Sequence, residues 1–348
     1  MKKKTFLGAT AAAMAVLAVA TGSAGAATTA RTADDTITGA GSSFVTALVG
    51  QWVNDYATKA GVTINYSPVG SGAGIAAITA RTVDFGATDA PLTPDQMTAC
   101  KDCVQIPVAL SATSVAYNLP GVKNNLKITG EMIADIYLGK IKKWNDAKLV
   151  ALNPGVTLPD KDITPVFRSD GSGTSYNFTD YLSKVSPEFA STIGNSTQPP
   201  FKVGVGARGS SGVSGLVSRT EGSLTYVDVA FALKNKLYFF AVQNAAGKFA
   251  LPGIKQINAA AATVKSVPAD NKISLVNPDK SAAEAYPICT FVWFIVPRAE
   301  AKATAVKRFL LYAISPFGQK LGLPLVFAPM PKVVAVAANK TIAQIKQG

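Results

Sequence analysis

The 348-residue chain carries 34 Lys and Arg against 21 Asp and Glu, a formal charge of +13, and it contains no histidine. Without histidine the usual general base near neutral pH and the commonest transition-metal ligand are missing, which excludes a Ser-His-Asp hydrolase and argues against structural zinc. Carboxylate or Ser-Lys catalysis survives that test.

In chain order the first feature is an export signal. Lys2, Lys3 and Lys4 precede a short apolar stretch from Phe6 to Ala20 and a small-residue run ending Ala24-Gly25-Ala26, so residues 1–26 read as a secretory signal peptide. That stretch is too short for a comfortable bilayer span, and no later one reaches the ~18 apolar residues of a membrane helix. The mature chain is expected to be soluble, periplasmic, wall-associated or extracellular, and without a lipobox cysteine. Loss of the signal lysines leaves a formal charge of +10. On an exported protein this basic balance points to a small anion, an acidic wall polymer or an anionic membrane surface rather than to nucleic acid.

The next segments alternate in period. Val45, Leu48, Val49, Trp52 and Tyr56 recur at helical spacing, and Val62, Ile64 and Tyr66 alternate as a half-buried strand does. Ile75 to Thr79 reads as helix and Val83 to Ala87 as strand. Val104 to Leu110 and Ser114 to Asn118 read as two extended pieces, and Met132 to Ile136 as helix. A strand ending at Val166-Phe167 leads into a helix carrying Phe178, Tyr181, Leu182 and Val185. The pattern predicts an α/β fold of two lobes, each a mixed, mostly parallel sheet flanked by helices. About 320 mature residues suit two such lobes. No flexible linker occurs, so we expect the lobes to be joined by two crossover strands, Val108 to Tyr117 and Tyr286 to Val296, with the last helix, near Val306 to Ile314, packing back on the first lobe. The expected division is 34–112 plus 288–346 for lobe 1 and 113–287 for lobe 2, with a hinged cleft between them. Cys100-Lys101-Asp102-Cys103 reads as a local disulfide in an oxidising compartment, leaving Cys289 as a buried thiol.

Three segments share one design, an extended stretch, a Gly/Ser-rich turn and then a helix: residues 39–44 (GAGSSF), 70–74 (GSGAG) and 170–175 (DGSGTS). Such turns aim backbone N–H groups and a helix dipole at one point with hydroxyls beside them, which suits an oxyanion. Singly, each is equally a capped turn. None fits a dinucleotide or P-loop motif, and no GxSxG elbow is present. Arg168 lies two residues before Asp170, where its guanidinium can fork onto an oxyanion while Asp170 holds it. Asp89 ends the apolar run Phe85-Gly86-Ala87-Thr88, an odd place for a carboxylate beside an anion.

At these residues the chain closely resembles the extracytoplasmic phosphate-binding proteins of Pst-type ABC importers, a family of two-lobed periplasmic binding proteins (type II fold). The matching motifs are TGAGSSF at 38–44, VDFGATDAPL at 83–92, DIYLGKIKKWND at 135–146 and RSDGSGTS at 168–175. The resemblance implies phosphate contacts at Ser43, Phe44, Ser71 and Asp89 from one lobe and at Arg168, Ser172, Gly173 and Thr174 from the other, with Asp170 supporting Arg168. Ser43 stands where threonine is usual, and the hydroxyl is kept. The resemblance also implies a monomer that hands inorganic phosphate to a membrane-embedded ABC permease, with no cofactor, no metal and no catalysis. It supplies a role for Asp89, since an ionised carboxylate only accepts hydrogen bonds: it can pair with the proton of hydrogen phosphate but not with sulfate, which has none. Two other functions fit the residues alone, a secreted enzyme acting on phosphate esters and a wall-associated adhesin. Lys140, Lys142 and Lys143 read as a solvated basic face.

Overall fold

The computed structural model describes residues 36–122 and 126–348; the signal-peptide reading of residues 1–26 lies outside them. The strands that shape the fold are β1 (Thr36–Gly41), β2 (Thr63–Ser67), β3 (Phe85–Thr88), β4 (Cys103–Asn118), β5 (Thr164–Arg168), β6 (Val205–Ala207), β7 (Ser223–Asp228) and β8 (Ile288–Pro297). They hydrogen-bond in the order β2-β1-β3-β8-β4-β7-β5-β6. β1 pairs in parallel with both β2 and β3, and β5 with both β6 and β7, while β8 and β4 at the centre run antiparallel to their neighbours. The parallel ladders thus form the two flanks and the antiparallel ones the middle.

β4 joins the flanks. Its first part, Cys103–Ala112, pairs with β8, and its second, Thr113–Asn118, pairs with β7. The two extended pieces read from the sequence are therefore one strand of 16 residues, all buried except the last. The intervening Ser111 and Ser114 tolerate burial because each hydroxyl donates to a carbonyl, of Val326 at 2.9 Å and of Val227 at 2.8 Å. We use lobe 1 for the half built on β1, β2, β3 and β8, and lobe 2 for the half built on β5, β6 and β7.

Helices cover both halves. In lobe 1, α1 (Thr46–Ala60) follows β1 and α2 (Ser71–Thr79) follows β2. α1 buries Leu48, Val49, Trp52 and Tyr56 at helical spacing. Trp52 meets Phe294 and Phe309 edge-on, and Phe85 stacks on Phe294 with centroids 4.7 Å apart. Each such fully buried aromatic contributes about 1.5–3 kcal/mol relative to exposure. In lobe 2, α3 (Gly173–Val185) follows β5, α4 (Gly209–Arg219) follows β6, and α5 (Val229–Lys234) follows β7. Phe178 of α3 stacks on Tyr226 of β7 at 4.2 Å.

The helix near Val306 to Ile314, α6 (Ala303–Ile314), is not the last one: α7 (Lys332–Ile342) follows and buries Val334, Ala338, Thr341 and Ile342. Its spacing of four, seven and eight residues is a helical stripe. Cys100 and Cys103 are joined by a disulfide at the start of β4, and Cys289 is a buried free thiol whose ionisation is suppressed by that burial. No helix among the described residues is long and apolar enough to cross a membrane.

Candidate functional site

Each of the three Gly/Ser turns sits at the C-terminal end of a sheet strand or just beyond it and opens a helix, and all three meet at the cleft where β4 changes partner. Asp89, immediately after β3, is only 1% exposed and is the hub. Its Oδ1 accepts the Ser42 hydroxyl at 2.6 Å and the Ser71 hydroxyl at 3.0 Å, and its Oδ2 accepts the Thr174 hydroxyl at 2.9 Å from across the cleft. Its backbone carbonyl accepts the Asn177 side-chain amide at 2.6 Å and the Thr290 hydroxyl at 3.2 Å. Burial pushes the Asp89 carboxyl above the usual range, against the opposing pull of Ser42, the Arg168 charge, Thr174 and Ser71.

The opposite wall carries the compensating charge. Arg168, at the end of β5 and 3% exposed, donates from Nε to Asp170 Oδ1 at 2.7 Å and from a terminal nitrogen to Oδ2 at 2.5 Å. This two-pronged grip fixes the guanidinium plane. Burial alone would raise the Asp170 carboxyl, but the hydrogen bond and charge of Arg168, with the Gly209 N–H at 2.9 Å, hold it below the usual carboxylate range. Ser172 is buried as the N-cap of α3, where its hydroxyl accepts the Ser175 N–H at 3.1 Å. The Gly173 N–H reaches the Ser71 hydroxyl at 3.1 Å, and the Gly72 N–H reaches the Gly171 carbonyl at 2.9 Å. Two of the three turns therefore touch backbone to side chain and backbone to backbone.

Glycine is required at two of these positions. Gly70 has φ +98°, and a Cβ there would lie 2.3 Å from Asp170 Oδ2 across the cleft. A Cβ on Gly173 would lie 2.6 Å from Asp89 Cγ and 2.7 Å from the Ala90 nitrogen. The lobes can approach this closely only because neither residue has a side chain.

Ser43, Ser71, Asp89, Arg168, Asp170, Ser172, Gly173 and Thr174 are thus gathered at one place. Phe44 divides in two: its ring belongs to the core, edge-on to Phe327 at 6.0 Å, while its N–H points to the Ser42 hydroxyl at 3.1 Å. Lys140 and Lys143 lie on the exposed face in ion pairs with Glu188 and Asp160. The sequence reading missed Ser42, which contacts Asp89 directly, and it missed Ser210. The Ser210 hydroxyl lies 3.0 Å from that of Ser43, and its N–H donates to the Ser43 oxygen at 3.0 Å. Ser210 opens α4 after Arg208-Gly209, a fourth strand–Gly/Ser turn–helix of the same design. The signal was present, but β6 has only three residues and is partly exposed, so the strand half of the pattern did not register.

A two-lobed sheet whose helix N-termini converge on a closed cleft is the architecture of the PBP superfamily domain, and the model of that family matches residues 26–316. A high-affinity periplasmic phosphate-binding protein (PfluDING) bound with phosphate superposes with a TM-score of 0.72 at 20% identity, covering 87% of this chain and 93% of its own. The phosphate binding protein of Stenotrophomonas maltophilia gives a TM-score of 0.68 at 18% identity, covering 88% and 93%. Those likenesses are of fold. Sequence relatives narrow the family: the phosphate-binding protein PstS of Xylella fastidiosa (strain Temecula1) is 40% identical over 298 residues, 85% of this chain and 81% of its own. PstS of Haemophilus influenzae is 35% identical over 318 residues, 90% and 94%. This chain belongs to the PstS family of phosphate-binding proteins.

Proposed function

We propose that the chain captures hydrogen phosphate in the cleft outside the cytoplasm and, as a monomer, delivers it to a membrane-embedded ABC permease without covalent chemistry. The observation that carries this reading is Asp89: a carboxylate buried amid hydroxyl donors, opposite a guanidinium held in plane by Asp170. Ser42, Ser71 and Thr174 already direct their protons at this carboxylate, and each can turn toward an oxyanion instead. The N–H groups of Ser43, Phe44, Gly173 and Thr174, the Ser43 hydroxyl and Arg168 supply further donors, and Asp89 supplies the acceptor. An anion that keeps a proton satisfies both kinds of group, whereas a fully deprotonated one leaves two negative charges opposed.

The lobe division we propose is 34–112 with 288–346 and 113–287, hinged where β4 passes from β8 to β7. One stretch of the second span reaches back: the Asn271 amide donates to the Gln105 carbonyl at 2.8 Å, and Leu275–Val276 pairs with β8. It would act as a strap that keeps lobe 2 in register during opening. Calorimetric titration of anion-free protein with phosphate and with sulfate tests the reading. We expect one tight phosphate site per chain and no measurable sulfate binding; equal affinity for both, or turnover of a phosphate ester, would overturn it.

A further inference from the structure

The bonds that cross the cleft are of two kinds. Thr174 to the Asp89 carboxyl, the Gly173 N–H to the Ser71 hydroxyl, and Ser210 to Ser43 all use a group that an anion in the cleft would claim. Two others use none. The Gly72 N–H donates to the Gly171 carbonyl at 2.9 Å, backbone to backbone, and the Asn177 side-chain amide donates to the backbone carbonyl of Asp89 at 2.6 Å. Asn177 lies on α3, in lobe 2, and is 3% exposed. Of these two bonds, only the one from Asn177 is made by a side chain.

The Asn177 amide is held ready for this contact. Its nitrogen also donates to the Gly173 carbonyl, four residues back on the same helix, at 3.0 Å. Both neighbours are carbonyl oxygens, which only accept, so the nitrogen and not the oxygen of the amide faces them. The nitrogen carries two protons. One is used within α3 and stays bonded when the lobes part; the other reaches lobe 1 only when they meet. The Asp89 carbonyl has no equal donor on its own side. Thr290 of β8 approaches it at 3.2 Å, but the single proton of that hydroxyl is also within reach of the Phe291 carbonyl, at 2.9 Å.

We propose that Asn177 is a positioning residue for phosphate binding, a latch that holds the cleft closed through the Asp89 backbone without touching the anion. This rests on the phosphate reading above. The latch bond exists only in the closed state, so it leaves the encounter of the anion with the open cleft unchanged and slows reopening; its contribution enters the dissociation rate. Because the bond ends on a backbone carbonyl, the Asp89 carboxyl stays free to accept a proton from the ligand. The carboxyl sets which anion is held, and the latch sets how long it stays.

Stopped-flow association and dissociation of phosphate with the full mature protein test this, for the unsubstituted chain, Asn177→Ala, Asn177→Leu and Thr290→Val. Alanine is the stronger helix former and leucine refills the volume of the amide, so the two variants perturb α3 in different ways while both remove the donor. We expect each to release phosphate about five- to tenfold faster, the worth of one neutral hydrogen bond, with association changed by less than about twofold. Thr290→Val removes a donor to the same carbonyl from within lobe 1, a bond that does not depend on closure, and we expect a smaller acceleration from it. Equal acceleration by Thr290→Val would show that the placement of the Asp89 carbonyl matters and a bond across the cleft does not, and would overturn the inference. So would slower association with release unchanged, or unaltered rates in an Asn177 variant that keeps the native circular dichroism. No phosphate binding by the unsubstituted protein would overturn the functional reading and this inference with it.

Discussion

The two walls of the cleft differ in what they bring to an anion. Lobe 1 presents neutral hydroxyls, Ser42, Ser43 and Ser71, gathered with the Asp89 carboxyl; lobe 2 presents Arg168 clamped by Asp170, with the N-terminus of α3 beside it. Burial raises both carboxyls, yet their net shifts are opposite. Asp170 gains a full cationic partner and is held low, while Asp89 gains mainly hydroxyls and is pushed up. In the reading proposed above, lobe 2 supplies attraction for any oxyanion, and lobe 1 supplies the discrimination among oxyanions. Removing a group from one wall should then cost something different in kind from removing one on the other.

The largest effect is expected from Arg168→Ala. It deletes the cation and leaves Asp170 buried without its partner, a loss of about 3–5 kcal/mol when one member of a buried pair is removed. We expect phosphate affinity to fall by roughly a thousandfold or more and the protein to melt earlier; calorimetry and thermal unfolding read the two. Asp89→Asn acts on the other wall. The amide can donate as well as accept, so the penalty against a protonless anion disappears, and we expect the phosphate-to-sulfate ratio to shrink by at least ~100-fold. A ratio that stays constant in this variant would assign discrimination to lobe 2 and break the division of labour.

Gly173→Ala probes the approach of the walls rather than either one. Its Cβ would sit 2.6 Å from Asp89 Cγ, with no flexible side chain able to yield. Overpacking of this kind costs about 1–3 kcal/mol, so we expect phosphate affinity to fall roughly 10- to 100-fold while circular dichroism is unchanged. A small-angle scattering profile that stays expanded in saturating phosphate would show that closure is what was lost.

The turns, Asp89 and the Arg168–Asp170 pair were legible in the sequence because each combines a strand end with residues of unmistakable chemistry. Ser42 was passed over in favour of Ser43 because one-residue differences of side-chain direction in a tight turn depend on φ, and Gly41 before it has φ +141°. Asp228, the fully buried last residue of β7, was hidden although it resembles Asp89, an acid closing an apolar strand. Only the pairing of β7 with β4 shows that it faces the hinge instead of solvent. The terminal helix α7 escaped notice because Val333, Val334 and Val336 carry strand propensity, which burial of Val334, Ala338 and Ile342 along one stripe overrides. Continuity of β4 across the lobes was obscured for a similar reason, since Ser111 and Ser114 look like a break until their carbonyl partners are seen.

The opposed responses of the carboxyls also sharpen the comparison in the unliganded protein, through the dependence of stability on pH. Asp170 is lowered on folding, so its contribution is present above its ordinary value of 3.8 and is lost as pH falls through the lower folded value. Asp228 is raised to about 8, so the folded protein keeps a proton that the unfolded chain has released. Its contribution is full below 3.8 and declines as pH rises toward 8, with a slope approaching about 1.4 kcal/mol per pH unit for one proton. Asp89 adds to the decline in the same direction. Urea unfolding between pH 3 and pH 9 should therefore show an acid limb that Asp170→Asn flattens and a separate decline above pH 5 that Asp228→Asn flattens. If both substitutions altered the same limb, the opposite shifts assigned to a carboxyl paired with a cation and to one buried without such a partner would have to be abandoned.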